Sequence, residues 1–182
     1  DRIISVETSY SDGENASYRL MSNGFEGESK STWYSVSASV AIKGEGEARP
    51  SDYWYGSSLF YDKLPKTDIG SVALERVLRK LGQKKAKSGK YTMVVDPINS
   101  GRMLSPVLSA LYGSSLQQKN SFLIDKLDQK VFSDKLTVMD DPHVIGANGS
   151  RYFDNEGVAT EKRPIFENGV LKTYFFDTYN AK

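Results

Sequence analysis

The run TWYSVSASVAI at 32–42 limits the fold more than any other stretch of this chain. Successive side chains of a strand point to opposite faces. Tyr34, Val36, Ala38, Val40 and Ile42 therefore share one face, and Trp33, Ser35, Ser37 and Ser39 share the other. The pattern predicts a half-buried strand whose outer face is lined with hydroxyl groups.

Upstream, DRIISVETSY and ASYRLMSNGF are short runs on either side of Ser11-Asp12-Gly13-Glu14-Asn15. An Asp-Gly pair in that setting predicts a hairpin. Downstream, PSDYWYGSSLFYDKLP gathers Tyr53, Trp54, Tyr55, Phe60 and Tyr61. The period then changes. Asp68 is placed to cap a helix with Ile69, Val72, Ala73, Val77 and Leu81 inward, closed by Gly82. YTMVV at 91–95 reads as a buried strand ended by Asp96-Pro97.

A second helix turns Met103, Leu104, Val107, Leu108 and Leu111 toward the core and stops at Gly113. It starts either near Ser100, with Pro106 inside, or at Ser105, with Pro106 in the first position. An interior proline costs about 3 kcal/mol and a first-position proline almost nothing, which favours the second start. LTVM at 136–139 and RYFD at 151–154 read as strands around a turn at 140–142. IFENGVLKTYFF at 165–176 reads as a hairpin with a two-residue type I′ turn at Asn168-Gly169. No internal repeat, low-complexity tract or linker stands out.

These elements make an α+β chain of antiparallel hairpins with two or three packed helices. Its 182 residues suffice to bury a core. With 38% hydrophobic and 26% charged residues it has the composition of a soluble globular protein. A formal net charge of +1 gives no whole-molecule pull toward nucleic acid or membrane. No run approaches the length of a membrane span, and the first residues do not form a signal peptide. With no cysteine, disulfides and thiolate chemistry are excluded. The chain begins at Asp1 without a methionine, as a piece of a longer protein does.

Chemistry-bearing residues are sparse. From Pro97 to Ile124 there is no His, Cys, Asp or Glu, so the second helix supplies neither a metal ligand nor a general base. His143, the one histidine, follows Asp-Asp-Pro and reads as part of an exposed turn more than as part of a relay. Asp140, Asp141, Asp154 and Glu156 form a loose carboxylate set that suits turns better than a cation site. Lys84, Lys85, Lys87 and Lys90 read as a solvated face at a helix C-terminus. The aromatic group around Trp54 could stack on bases or grip an apolar side chain, but packing is the simpler reading. There is no phosphate loop or nucleic-acid-binding motif.

The order of several segments nevertheless resembles the TldD/PmbA family. They are SNGFEG (22–27), IGSVALERVLRKLG (69–82), GKYTMVVDP (89–97), SFLIDKLDQKV (121–131), LTVMDDP (136–142), FDNEGVATEKRPIFENGVLKTYFFD (153–177) and TYNAK (178–182). The resemblance implies that residues 1–182 are the central part of a longer protein, without an N-terminal α/β region and a C-terminal β-rich region. It implies a peptidase pair of one TldD-type and one PmbA-type (TldE) subunit. The TldD-type subunit carries a His-Glu-x-x-x-His zinc motif on a helix, and those motif positions align near Ser105, Pro106 and Ala110 here.

The expectation is thus a zinc-free PmbA/TldE-like subunit of a cytoplasmic metallopeptidase that acts on unfolded or flexible peptides. No catalytic residue, metal ligand or cofactor is assigned to this chain, and zinc is expected in a TldD-type partner. Trp33, Tyr53, Trp54, Tyr55, Asp154 and Glu156 are candidates for cleft or interface surface. A binding protein linked to modulation of DNA gyrase is the alternative, and a homodimer without a metal partner is the third reading. No membrane contact and no direct nucleic-acid contact are expected.

Overall fold

The computed structural model describes residues 2–181; Asp1 and Lys182 lie outside the described residues. The chain divides into two compact units, Asp1–Gly89 with Gly146–Asn148, and Lys90–Ile145 with Gly149–Lys182. Both combine antiparallel strands with helix, so the chain is α+β. No helix of the described residues is long and apolar enough to cross a membrane.

The first unit is an antiparallel sheet in the order β1 (Ile3–Leu20), β2 (Glu26–Ile42), β3 (Ser51–Ser58), with helix α1 (Ile69–Leu78) on one face. The alternation at 32–42 has the expected consequence. Ala38, Val40 and Ile42 are buried against Ile69, Ala73 and Val77 of α1, while Ser35, Ser37 and Ser39 lie on the far face. Fully burying a side chain such as Ile42 or Val77 stabilises by about 1.5–3 kcal/mol, and these contacts fix the helix on the sheet.

Two local expectations fail here. Asp12-Gly13 does not turn: β1 runs straight through it for 18 residues, and the hairpin closes at 21–25. There Gly24 takes φ 89°, its N–H donates to Met21 O (3.0 Å), and the Asn23 side chain accepts from Phe25 N (3.1 Å). Gly13 serves a different purpose. It pairs with Trp33, and a Cβ at Gly13 would lie 2.5 Å from the indole Nε1. A strand glycine often marks such a close approach. Asp68 does precede α1, but at φ 63° its carboxylate makes no cap. Its main-chain oxygen instead accepts from Val72 N (2.9 Å) and Ser71 Oγ (3.0 Å). Gly82, with φ 69°, follows the end of the helical turns.

The second unit holds α2 (Pro97–Ser109), α3 (Gly113–Gln117) and a small sheet in the order β4 (Val138–Asp140), β5 (Arg163–Glu167), β6 (Val170–Leu171). The Asn168-Gly169 hairpin forms as expected, with φ 48° and 79°. Its core is Ala110, Leu111, Leu123, Ile165, Phe166 and Leu171. Phe132 meets Phe166 edge-on at 5.1 Å, and Tyr174 OH donates to Leu123 O at 2.5 Å.

Several expectations change in this unit. Residues 91–95 form no strand, and Tyr91, Met93 and Val94 are exposed. A run rich in β-formers needs a neighbouring strand to pair with, and none lies beside it among the described residues. RYFD contributes only an isolated bridge, Phe153 to Ala159. Finally, α2 starts at Pro97, where Asp96 accepts from Ile98 N (2.9 Å), and it keeps Pro106 inside. Pro106 and Arg102 both face solvent, so water can satisfy the Arg102 carbonyl that the missing proline N–H would have served. A capped start with a preformed proline at N1 offsets part of the interior penalty. Gly113 does not end α2 but opens α3, and Met103, expected inward, is exposed.

Candidate functional site

A cavity of about 500 Å³ lies in the second unit, where the chain leaves α2. It is built from the helix end outward. Gly113 N donates to Phe175 O (2.7 Å) and Phe175 N to Leu111 O (2.9 Å), tying residue 112 alongside residue 175. The Tyr112 and Phe175 rings sit 5.5 Å apart. Gly113 has to be glycine, since a Cβ would come within 2.7 Å of both Phe176 and Asn180. The segment is held further by Gln117 Nε2, which donates to Asn180 O (3.1 Å).

Charged groups ring this apolar floor. Asp154 shapes its own loop: Oδ1 accepts from Glu156 N (2.8 Å) and Val158 N (2.9 Å), and Gly157 turns at φ 78°. Glu156 Oε2 accepts from Thr178 N (2.9 Å), so FDNEG fastens the 176–180 segment. Asp177 accepts from the Asn180 main-chain N–H (2.7 Å) and side-chain Nδ2 (2.6 Å), which holds its carboxyl below the usual carboxylate range. Arg163 lies over the Phe175 ring at 5.6 Å, with Nε 3.7 Å from Asp140 Oδ2. That Nε is buried without a hydrogen-bond partner. Arg151 donates from Nη1 to Gly149 O (2.9 Å).

The other candidates lie elsewhere. Tyr53 and Tyr55 are exposed and stack at 6.3 Å on the far face of the first unit's sheet, the face that also carries Trp33. Trp54 points the opposite way, packed on the core beneath Arg76, whose guanidinium is 5.1 Å from the ring. His143 is exposed and stacks on Tyr152 at 5.9 Å. Asp141 accepts from its main-chain N–H (3.3 Å), not from its ring, and pairs with Lys162 at 2.7 Å. The Lys162 ammonium, aided by that N–H, lowers the Asp141 pKa. Thr160 Oγ1 lies 3.3 Å from His143 Nε2, but among the described residues no carboxylate joins them in a nucleophile–histidine–carboxylate relay.

Asp154 and Glu156, singled out in the sequence, line this cavity together with Arg163, Arg151, Tyr112 and Asp177, which were not singled out. The signal was weak: they are scattered over 66 positions from 112 to 177, and only the hairpin and the residue 112–175 bridge bring them together.

The comparisons with known proteins agree with this division of the chain. The model of the PmbA/TldA metallopeptidase central domain matches residues 1–81. The model of the PmbA/TldA metallopeptidase C-terminal domain matches residues 88–182. The chain belongs to the PmbA/TldD metallopeptidase family. It is 34% identical over 154 residues to the metalloprotease PmbA homolog of Buchnera aphidicola, covering 84% of this chain and 34% of that protein. It thus spans about a third of that curated relative. A crystal structure of a modulator of DNA gyrase from Bacteroides thetaiotaomicron superposes with a TM-score of 0.95 at 69% identity, over all of this chain and 41% of that one. TldE from Thermococcus kodakarensis shares the fold, with a TM-score of 0.72 at 20% identity over 96% of this chain and 39% of that one.

A metallopeptidase family implies a metal, and the donors present can be tested against it. Zinc takes nitrogen, thiolate and carboxylate ligands, commonly with His or Cys among them. The α2 region from Pro97 to Ile124 holds no His, Cys, Asp or Glu. The cavity offers carboxylates but neither His nor Cys, and among the described residues no three His, Cys, Asp or Glu are grouped to hold a metal ion. The described residues of this cavity and of α2 therefore do not fit a zinc site.

Proposed function

We propose that this chain is part of a PmbA/TldE-type subunit that supplies no metal ligand and works beside a zinc-bearing TldD-type partner. The pair cleaves unfolded or flexible peptides in the cytoplasm. One observation carries the reading: the α2 region from Pro97 to Ile124 has no His, Cys, Asp or Glu, and a proline occupies the interior of the helix. When bound in the partner, zinc supplies an activated water for attack on a peptide carbonyl. This chain contributes cleft wall and contact surface, for which Trp33, Tyr53, Trp54, Tyr55, Asp154 and Glu156 are the candidates.

The experiment is cleavage of an unstructured peptide by the full-length protein, by the TldD-type subunit, and by the mixture, with and without a chelator. Cleavage is expected only in the mixture and only without chelator. Chelator-insensitive cleavage by this protein alone overturns the proposal, as does one tightly held zinc per chain in elemental analysis.

A second reading follows from the name of the Bacteroides protein, modulator of DNA gyrase. The formal net charge of +1 gives it little electrostatic support. Salt-dependent binding of the full-length protein to duplex DNA would favour it.

A further inference from the structure

The cavity at the end of α2 has a charge balance that selects a ligand. Its floor and walls are apolar, with Leu108, Tyr112, Ile165, Phe175 and Phe176. Around them stand four carboxylates (Asp140, Asp154, Glu156 and Asp177) and two guanidiniums (Arg151 and Arg163), a net formal charge of −2. We propose that this cavity binds a cationic side chain, lysine or arginine, of the peptide substrate. The inference rests on the peptidase reading for the word substrate, but the binding chemistry is independent of it.

Three features support a cation. The carboxylates are fixed in place: Glu156 through Oε2, and Asp154 and Asp177 through Oδ1, all by protein N–H donors. Preorganised acceptors lose little freedom when a ligand arrives. Glu156 Oε1 and Asp140 Oδ1 take no hydrogen bond among the described residues, so acceptor capacity remains. The aromatic and aliphatic floor suits the methylene stem of a long cationic side chain, which buries its carbons and keeps its charge at a polar rim. At about 500 Å³ the cavity is within the usual range for small ligands.

An acidic side chain is the opposing occupant. Arg163 Nε lacks a hydrogen-bond partner and could donate to an anion. Asp140, 3.7 Å away, already compensates that charge, and an incoming carboxylate would meet four others. Repulsion from the set outweighs one available N–H.

The test uses the full-length protein without partner or metal. Fluorescent unstructured peptides that differ at one position (Lys, norleucine or Glu) are titrated by anisotropy at two salt concentrations. The Lys peptide should bind about fivefold tighter than the norleucine peptide, the Glu peptide more weakly than either, and salt should shrink the difference. The double variant Glu156→Gln, Asp177→Asn keeps both acceptors and should lose most of the Lys preference. Arg151→Gln, which removes a rim cation, should increase that preference and covers the case in which the double variant does not fold. Equal binding of norleucine and lysine overturns the proposal. So do tighter binding of glutamate, a preference that survives in a folded double variant, and absence of all binding because the rest of the protein fills the cavity. Loss of the Lys preference leaves the subunit assignment standing, and failure of the mixed-subunit cleavage assay leaves the binding result standing.

Discussion

Replacing Gly169 by alanine should destabilise the second unit by about 3 kcal/mol. Two contributions add. At φ 79° an L-residue is strained by about 1–2 kcal/mol. In addition, a Cβ would lie 2.3 Å from Phe132 O and 2.6 Å from Ser133 O, both backbone atoms that cannot swing aside. The hairpin tip must withdraw. That weakens the bonds from Gly169 N to Leu136 O (2.8 Å) and from Val131 N (2.9 Å) and Phe132 N (3.1 Å) to Gly169 O. Two such bonds lost at about 1 kcal/mol each bring the total to about 3 kcal/mol. Gly24→Ala is the control, because Gly24 has φ 89° but no atom within 4 Å of its would-be Cβ. It should cost only the strain. Urea unfolding followed by far-UV circular dichroism measures both. Hydrogen exchange of the Val131 and Phe132 amides localises the effect, and tryptophan fluorescence should not respond to Gly169→Ala, since Trp33 and Trp54 lie in the first unit. Costs for the two variants within 0.5 kcal/mol of each other, about the scatter expected for such comparisons, would refute the clash argument.

Three further outcomes are expected. Asp52 is pulled upward by burial, but the Tyr53 N–H and the Lys80 and Arg76 cations outweigh that and lower its pKa. Its stabilising contribution is therefore full above the ordinary carboxylate range and is lost as pH falls below about 4. Asp52→Asn should flatten that acid limb, read from the fluorescence of Trp54 beneath Arg76. Gly113→Ala should cost about 2 kcal/mol and speed amide exchange at Ala181, because the 176–180 segment must move off the new methyl. Tyr53→Ala, on an exposed face, should change stability by no more than about 0.5 kcal/mol in thermal unfolding.

Where a signal is local, the sequence carried it. Asn168-Gly169 forms its turn because the required positive φ values belong to the two residues themselves. The alternation of 34–42 places its own side chains, whatever covers them. The failures have distant causes. Gly13 responds to Trp33, twenty positions along, so the same Asp-Gly pair that marks a turn elsewhere is straight here. Pro106 is tolerated because Asp96 and Pro97 start the helix nine residues earlier and because its ring faces water. Residues 91–95 have strand composition, but a strand is a property of a pair, and composition cannot supply the partner. In the candidate cavity Asp154 and Glu156 were legible through their turn motif. Arg163 and Tyr112 were not, since their roles depend on the residue 112–175 bridge, which no periodicity announces.

The long β1–β2 hairpin has a mechanical consequence. Its open ends lie side by side, Ile3 opposite Ile42, with the turn at the far tip. Tension between those ends loads the rungs one at a time, as in a zipper, and never shears the ladder as a whole. The first rungs to bear load are at the base, where Ala38, Val40 and Ile42 are buried and β3 pairs from Tyr34 to Ala41. Beyond that base, residues 26–33 pair among the described residues with β1 alone, and an isolated two-stranded ribbon is only marginally stable in water. A machine pulling on this unit would therefore meet its resistance at the first few rungs. Once these give way, the distal half of the hairpin offers almost none.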